Sequence, residues 1–218
     1  MNRRRFFVSI LFSLASLAAT AAGKVETTGA CTSTEVADAM RATLQPQGLR
    51  VVGDSGVLCD VWMRKTIPQK SGASDASYGS VPNGTFVGVV TYTGKGGDYR
   101  GQVIKPGTYT LRLQTIPSDG NHLGVAPSPE FFLLAPASAD KDPAPISYED
   151  LIKLSKQASG TNHPHPLNLA QPTGGGNPSF KQEGAHWALE AKTKAQPAGG
   201  GAEVDFPFAV VLIGKAEG

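Results

Sequence analysis

The strongest constraint on this chain is the portioning of its apolar residues into short alternating runs, each closed by glycine, proline or a small polar residue. Residues 57–64 show it most clearly. Val57, Cys59, Val61 and Met63 fall on one face of an extended strand, and Leu58, Asp60, Trp62 and Arg64 fall on the other. Comparable runs occupy 49–52, 85–93, 107–116, 130–135, 186–193 and 206–214. In the run that starts at His186, Trp187, Leu189 and Ala191 alternate with Ala188, Glu190 and Lys192. The last run is apolar on both faces, which predicts a central strand with one face under a helix or long loop. Gly 26 and Pro 16 in 218 residues supply enough turn formers to separate this many strands. The pattern predicts a mainly β fold, an antiparallel β-sandwich of jelly-roll or Ig-like type with two short helices.

The connections carry their own signals. Gly53-Asp54-Ser55-Gly56 reads as a hairpin turn joining the first two strands. Thr32-x-x-Glu35 has the form of a capping box ahead of Val36, Ala39, Met40 and Leu44, in a helix ended by Pro46 and Gly48. A second helix is capped by Ser147, with Asp150 three residues on and Tyr148, Leu151, Ile152 and Leu154 on its apolar side. Residues 69–84 read as a long surface loop and 161–184 as mostly loop. Residues 94–101 form a flexible connection and 196–201 a flexible turn.

The N-terminus sets the expected location. Arg3-Arg4-Arg5 precede an apolar run of about 14 residues, and Ala19-Thr20-Ala21-Ala22 supplies small residues for cleavage. The apolar run is shorter than the roughly 20 residues of a membrane-spanning helix. Residues 1–22 therefore read as a signal peptide and 23–218 as a single exported domain, periplasmic or secreted, with no stable membrane insertion after cleavage. A Sec leader is the first reading. Arg3-Arg4-x-Phe6-Phe7 also resembles a twin-arginine leader. The formal charge of +2 falls to −1 once the three leader arginines are gone. That balance argues against a nucleic-acid partner. In an oxidising compartment Cys31 and Cys59 are expected to form a disulfide, worth about 3 kcal/mol if unstrained. Two buried thiols are the rival reading.

Pro106-Gly107-Thr108-Tyr109-Thr110-Leu111 resembles the PGTYTL-type hairpin of many secreted bacterial β-sandwich modules. Together with segments 59–64, 100–113, 119–127, 131–136 and 159–164, it is similar to an uncharacterised family of exported bacterial proteins. The resemblance implies a β-sandwich and export, and it brings no assigned activity.

Several groups invite chemistry. Gly53-Asp54-Ser55-Gly56 resembles the nucleophile segment of chymotrypsin-like proteases, but in those enzymes the base precedes the serine, and here all four histidines follow Ser55. The glycines of 94–101 lead into another strand rather than a helix N-terminus, so they lack the amides of a phosphate cradle. Asn162-His163-Pro164-His165-Pro166, with His122 and His186, could bind copper or zinc, and Asp119 or Glu183 could complete the site or act as base. The competing reading has loop histidines bonded to local backbone. Trp62 beside Asp60 and Arg64 could stack on a sugar ring or peptide, with Tyr78, Tyr99 and Arg100 lining the same region. The structural alternative packs Trp62 beneath the 69–84 loop. Asn83-Gly84-Thr85 matches a glycosylation acceptor, and Pro82 before it favours a turn.

The leading functional reading is an exported, non-enzymatic binding or structural accessory module whose partner is a small molecule, glycan or protein. A histidine-based copper or zinc protein, either a carrier or a weak metal-dependent hydrolase, is the second. A carbohydrate-binding module is the third.

Overall fold

The computed structural model describes residues 23–73, 75–116 and 128–214. The chain is mainly β. Ten strands follow one another along a hydrogen-bonded path. The first half contains β1 (Lys24–Thr28), β2 (Gly48–Gly53), β3 (Gly56–Met63), β5 (Phe86–Tyr92), β8 (Gly107–Thr115) and β9 (Glu130–Pro136), in that spatial order. It continues through β10 (Pro166–Ala170) to β13 (Val204–Ile213), β12 (His186–Gln196) and β11 (Ser179–Glu183). A short β4 (Thr66–Pro68) pairs parallel to β12, and β6 (Gly96–Gly97) pairs with β7 (Val103–Ile104) as a separate ribbon.

The expected pair of separate sheets is therefore a single curled sheet. The pivot is β10. Pro166, Leu167 and Asn168 pair with β9, whereas Leu169 and Ala170 pair with β13. Residues of both halves, including Val61, Leu111, Phe132, Phe206, Phe208 and Val210, meet in one apolar core between them. At one end the halves are tied together, because only two residues separate β3 from β4, which pairs with β12 in the other half. The Thr193 hydroxyl on β12 adds a bond to the Arg64 carbonyl at 2.6 Å. At the opposite end the edges β1 and β11 approach without pairing. There Gly23 lies against Phe180 and Trp187, leaving no room for a Cβ beside the Phe180 ring. The sheet is thus closed at one end and open at the other.

The outer face of the first half carries a second apolar cluster of Cys31, Val36, Met40, Leu44, Trp62, Phe86, Val89 and Ala137. The first helix is shorter than the capping box suggested. It is a single turn, α1 (Asp38–Arg41), with no side-chain cap. Arg41 reaches back to the carbonyls of Ser33 and Val36 and fixes the preceding turn in place of the Thr32–Glu35 pair. The second helix, α2 (Tyr148–Ser159), starts at Ser147, whose hydroxyl accepts from the Asp150 amide, and stops at Gly160 in the left-handed region. It packs on β9 through Leu151, Ser155 and Ala158, while Tyr148 stays exposed.

Strands β1, β4, β10 and β11 lie where the sequence showed no strand signal, β10 and β11 within the presumed 161–184 loop. β10 opens on a proline, which is tolerated only at the first strand position or at an edge. β11 is an edge strand whose side chains, Phe180 apart, are polar. The 94–101 connection is also ordered into the β6–β7 ribbon rather than open.

Candidate ligand site at the open end of the sheet

A fully buried arginine anchors the outer layer. Arg112 sits mid-strand on β8 and is 0% exposed. Its Nε and Nη2 donate to the two carboxylate oxygens of Asp140 at 2.7 and 2.8 Å. Nη1 donates to the carbonyls of Gly84 and Ala144, and Nη2 also donates to the carbonyl of Asp142. All five guanidinium N–H groups are thereby used. The Thr110 hydroxyl adds a 2.6 Å bond to Asp140. Gly84 is required here: its φ is +76°, and a Cβ would strike the Ile146 carbonyl oxygen. This cluster fastens the segment leading to α2 onto the sheet.

The residues singled out as a binding surface do not converge. Trp62 is 7% exposed and lies in the outer cluster, covered by the 29–44 segment and not by the 69–84 loop. Its Nε1 donates to the Gly29 carbonyl at 2.8 Å, and its ring lies so close to Gly48 that no side chain fits there. Asp60 on the same face is held by a two-pronged pair with Arg50 at 2.8 Å. Arg64 is half-buried at the far, closed end. Tyr78 lies in the inner core, where its hydroxyl donates to the Ala170 carbonyl and accepts from the Ala209 amide at the β10–β13 junction. Both aromatics are structural, because each satisfies a backbone group that burial would leave bare. Tyr99 is half-buried and Arg100 exposed on the ribbon connection.

The cysteines are also placed differently from the disulfide expectation. Both are buried free thiols. Cys59 points with Val61 and Met63 into the inner core, whereas Cys31 packs with Trp62 in the outer cluster. The sheet itself lies between them. Burial pushes both thiols above the ordinary cysteine value.

Among the described residues, no group of three or more His, Cys, Asp or Glu side chains is arranged to hold a metal. His163 is exposed, and its carbonyl accepts from Ser159. His165 is 4% exposed, and its backbone amide donates to the Ser155 hydroxyl. His186 stacks on Tyr99 with ring centroids 4.0 Å apart and an interplanar angle of 4°. Glu183 is exposed and is the cross-strand partner of His186. His122 and Asp119 lie outside the described residues.

What the fold does assemble is a cavity of about 510 Å³ at the open end. The β2–β3 turn supplies Asp54 and Ser55, the start of β3 supplies Val57 and Leu58, β11 and β12 supply Phe180 and Trp187, and the end of β13 supplies Ile213. Gly94 and Lys95 close it from the root of the ribbon. Phe180 and Trp187 pack at 5.2 Å between centroids with a tilt of 38°, forming an aromatic wall. A bulge in the β2–β3 pairing, where Val51 faces Cys59 but Val52 faces Val57, breaks the alternation and turns Leu58 toward the inner core. Val57 is 40% exposed beside it. The site therefore has an apolar body and a polar rim, in a size range typical of small-molecule pockets. In the sequence Trp187 is an ordinary strand residue and Phe180 falls in an expected loop. The one local hint is Gly53-Asp54-Ser55-Gly56, which the sequence marks as a turn and not as a catalytic segment.

Compared with known proteins, the chain matches no family model, no curated protein and no solved structure at a significant level. No helix among the described residues is long and apolar enough to cross a membrane.

Proposed function

We propose that this chain is an exported, non-enzymatic binding module whose open sheet end takes a small ligand with an apolar body and a polar end. The observation carrying this reading is the 510 Å³ cavity walled by Phe180, Trp187, Leu58 and Ile213 and rimmed by Asp54, Ser55 and Lys95. An apolar cavity with a few polar groups at its lip buries a ligand's hydrocarbon surface and fixes which end faces out. The leader features of residues 1–22 support export, and the facing halves of the curled sheet support kinship with sandwich folds of jelly-roll or Ig-like type. The test is native mass spectrometry of the exported wild-type protein and of Leu58→Glu. A small molecule retained by the wild type and absent from a folded Leu58→Glu supports the site. Equal retention by both, or an empty wild type that binds no apolar compound from a panel, contradicts it.

A further inference from the structure

The ribbon that closes the cavity lies over buried groups that lack partners. Asp98, at its tip, is 2% exposed. Its Oδ1 accepts from the Arg100 and Gln102 amides and shapes the turn. Its Oδ2 lies 3.9 Å from Nε2 of His165, beyond hydrogen-bond reach. Both ring nitrogens of His165 are buried without a partner, as is the hydroxyl of Tyr92, on whose ring Gly96 rests. Next to Asp98, Tyr99 is stacked on His186, whose Nε2 is also buried and unpartnered. Gly214, just after β13, presses against the carbonyl oxygens of Asp98 and Tyr99, leaving no room for a side chain. The same ribbon contributes Gly94 and Lys95 to the cavity wall.

We infer that residues 94–104 form an acid-released strap over the ligand cavity, with the buried His165 that faces Asp98 as the proton sensor. The inference rests on the open end being the ligand site. Buried beneath the strap, His165 is held neutral, because desolvation disfavours its charged form more than Asp98 favours it. When the strap lifts, the imidazole meets water and returns toward its ordinary value of 6.5. The lifted state therefore binds the proton more tightly than the closed state. Closure is fully favoured above about pH 6.5 and weakens as the pH falls below it, by up to about tenfold per pH unit for one proton. The weakening levels off below the depressed value of the closed form.

Other titratable groups also pack against the strap or lie near it. Burial pushes Tyr92, Tyr109 and Cys59 upward, so all three stay neutral. Lys105 Nζ lies at the end of α2 beside Gly160, His163 is exposed, and Glu183 faces His186 across the β11–β12 pairing on the exposed side. Lifting the strap removes Gly94 and Lys95 from the cavity wall, so acid should lower ligand affinity.

The experiment follows hydrogen exchange of the Arg100 and Gln102 amides and the affinity of an anilinonaphthalene sulfonate dye from pH 7.5 to 5, on the full exported chain. The expected result is a loss of strap protection of at least about tenfold after correction for intrinsic exchange, with a parallel fall in dye affinity. His165→Phe should abolish both changes. His186→Phe, which keeps the ring stack, should retain them. Should His165→Phe fail to fold, Asp98→Asn serves instead. It keeps the Oδ1 acceptor but removes the charge that favours imidazolium, so its loosening should continue to pH values at which the wild type has levelled off. Saturable dye binding with strap protection and affinity constant to pH 5 would overturn the acid release and leave the cavity reading standing. Strap loosening in a protein that binds no dye at any pH would overturn the cavity reading, and ligand release with it.

Discussion

Asp140 and Asp98 are almost equally withdrawn from water, at 3% and 2% exposure, yet they sit in opposite kinds of surroundings. Asp140 takes both prongs of Arg112 and a threonine hydroxyl, and every donor of the arginine is used. Asp98 has two amides on one oxygen and an imidazole standing off from the other. The first arrangement has one good state, because separating any partner strands a buried charge. The second has a cost built into its closed form, since His165 lies in the core with both nitrogens bare. Satisfied buried charge fixes the β9–α2 crossing. Unsatisfied buried polarity sits under the ribbon that borders the open-end cavity.

Substitutions can break or sharpen this contrast. Arg112→Ala should lower unfolding free energy by about 3–5 kcal/mol in urea titration, because it leaves Asp140 buried without its partner. A loss below 1 kcal/mol would mean that Asp140 is not sealed in. Two tyrosines repeat the contrast without charge. Tyr78→Phe strips the Ala209 amide and Ala170 carbonyl of a partner and should cost about 1–3 kcal/mol. Tyr92→Phe removes a hydroxyl that has no partner, so it should be neutral or slightly stabilising by the same assay. Equal losses in the two variants would erase the distinction. The smallest effect concerns the thiols. With Cys31 and Cys59 on opposite faces of the sheet, the melting temperature should not change on adding reductant, and both thiols should react with a maleimide only after unfolding. A reductant-sensitive melting temperature would restore the disulfide.

Short apolar runs mark β2, β3, β5, β8, β9, β12 and β13, each with residues in the inner core, and period-two alternation is explicit in β3 and β12. It was silent on β10 and β11, where proline and polar side chains hide the pattern, and on the two-residue link that sends β4 to the other half of the sheet. Arg112 carries no signal of its own in the sequence, and nothing local points to Asp140 as its partner. The cavity was illegible for a related reason. Its walls come from 53–58, 94–95, 180, 187 and 213, which meet only once the sheet has curled. Alternation placed Trp62 opposite Cys59, but it could not show that the 29–44 segment would cover that face. Histidine spacing likewise could not tell an exposed His163 from a buried His165 two residues away.

The central claim, a ligand seat against Trp187, is tested most directly by fluorescence. The chain has 2 tryptophans, so Trp62→Phe leaves Trp187 as the single emitter. Titrating that protein at pH 7.5 with anilinonaphthalene sulfonate should give saturable one-to-one energy transfer from Trp187 to the dye, abolished by adding Leu58→Glu. Transfer that never saturates, or that survives Leu58→Glu unchanged, would contradict the account.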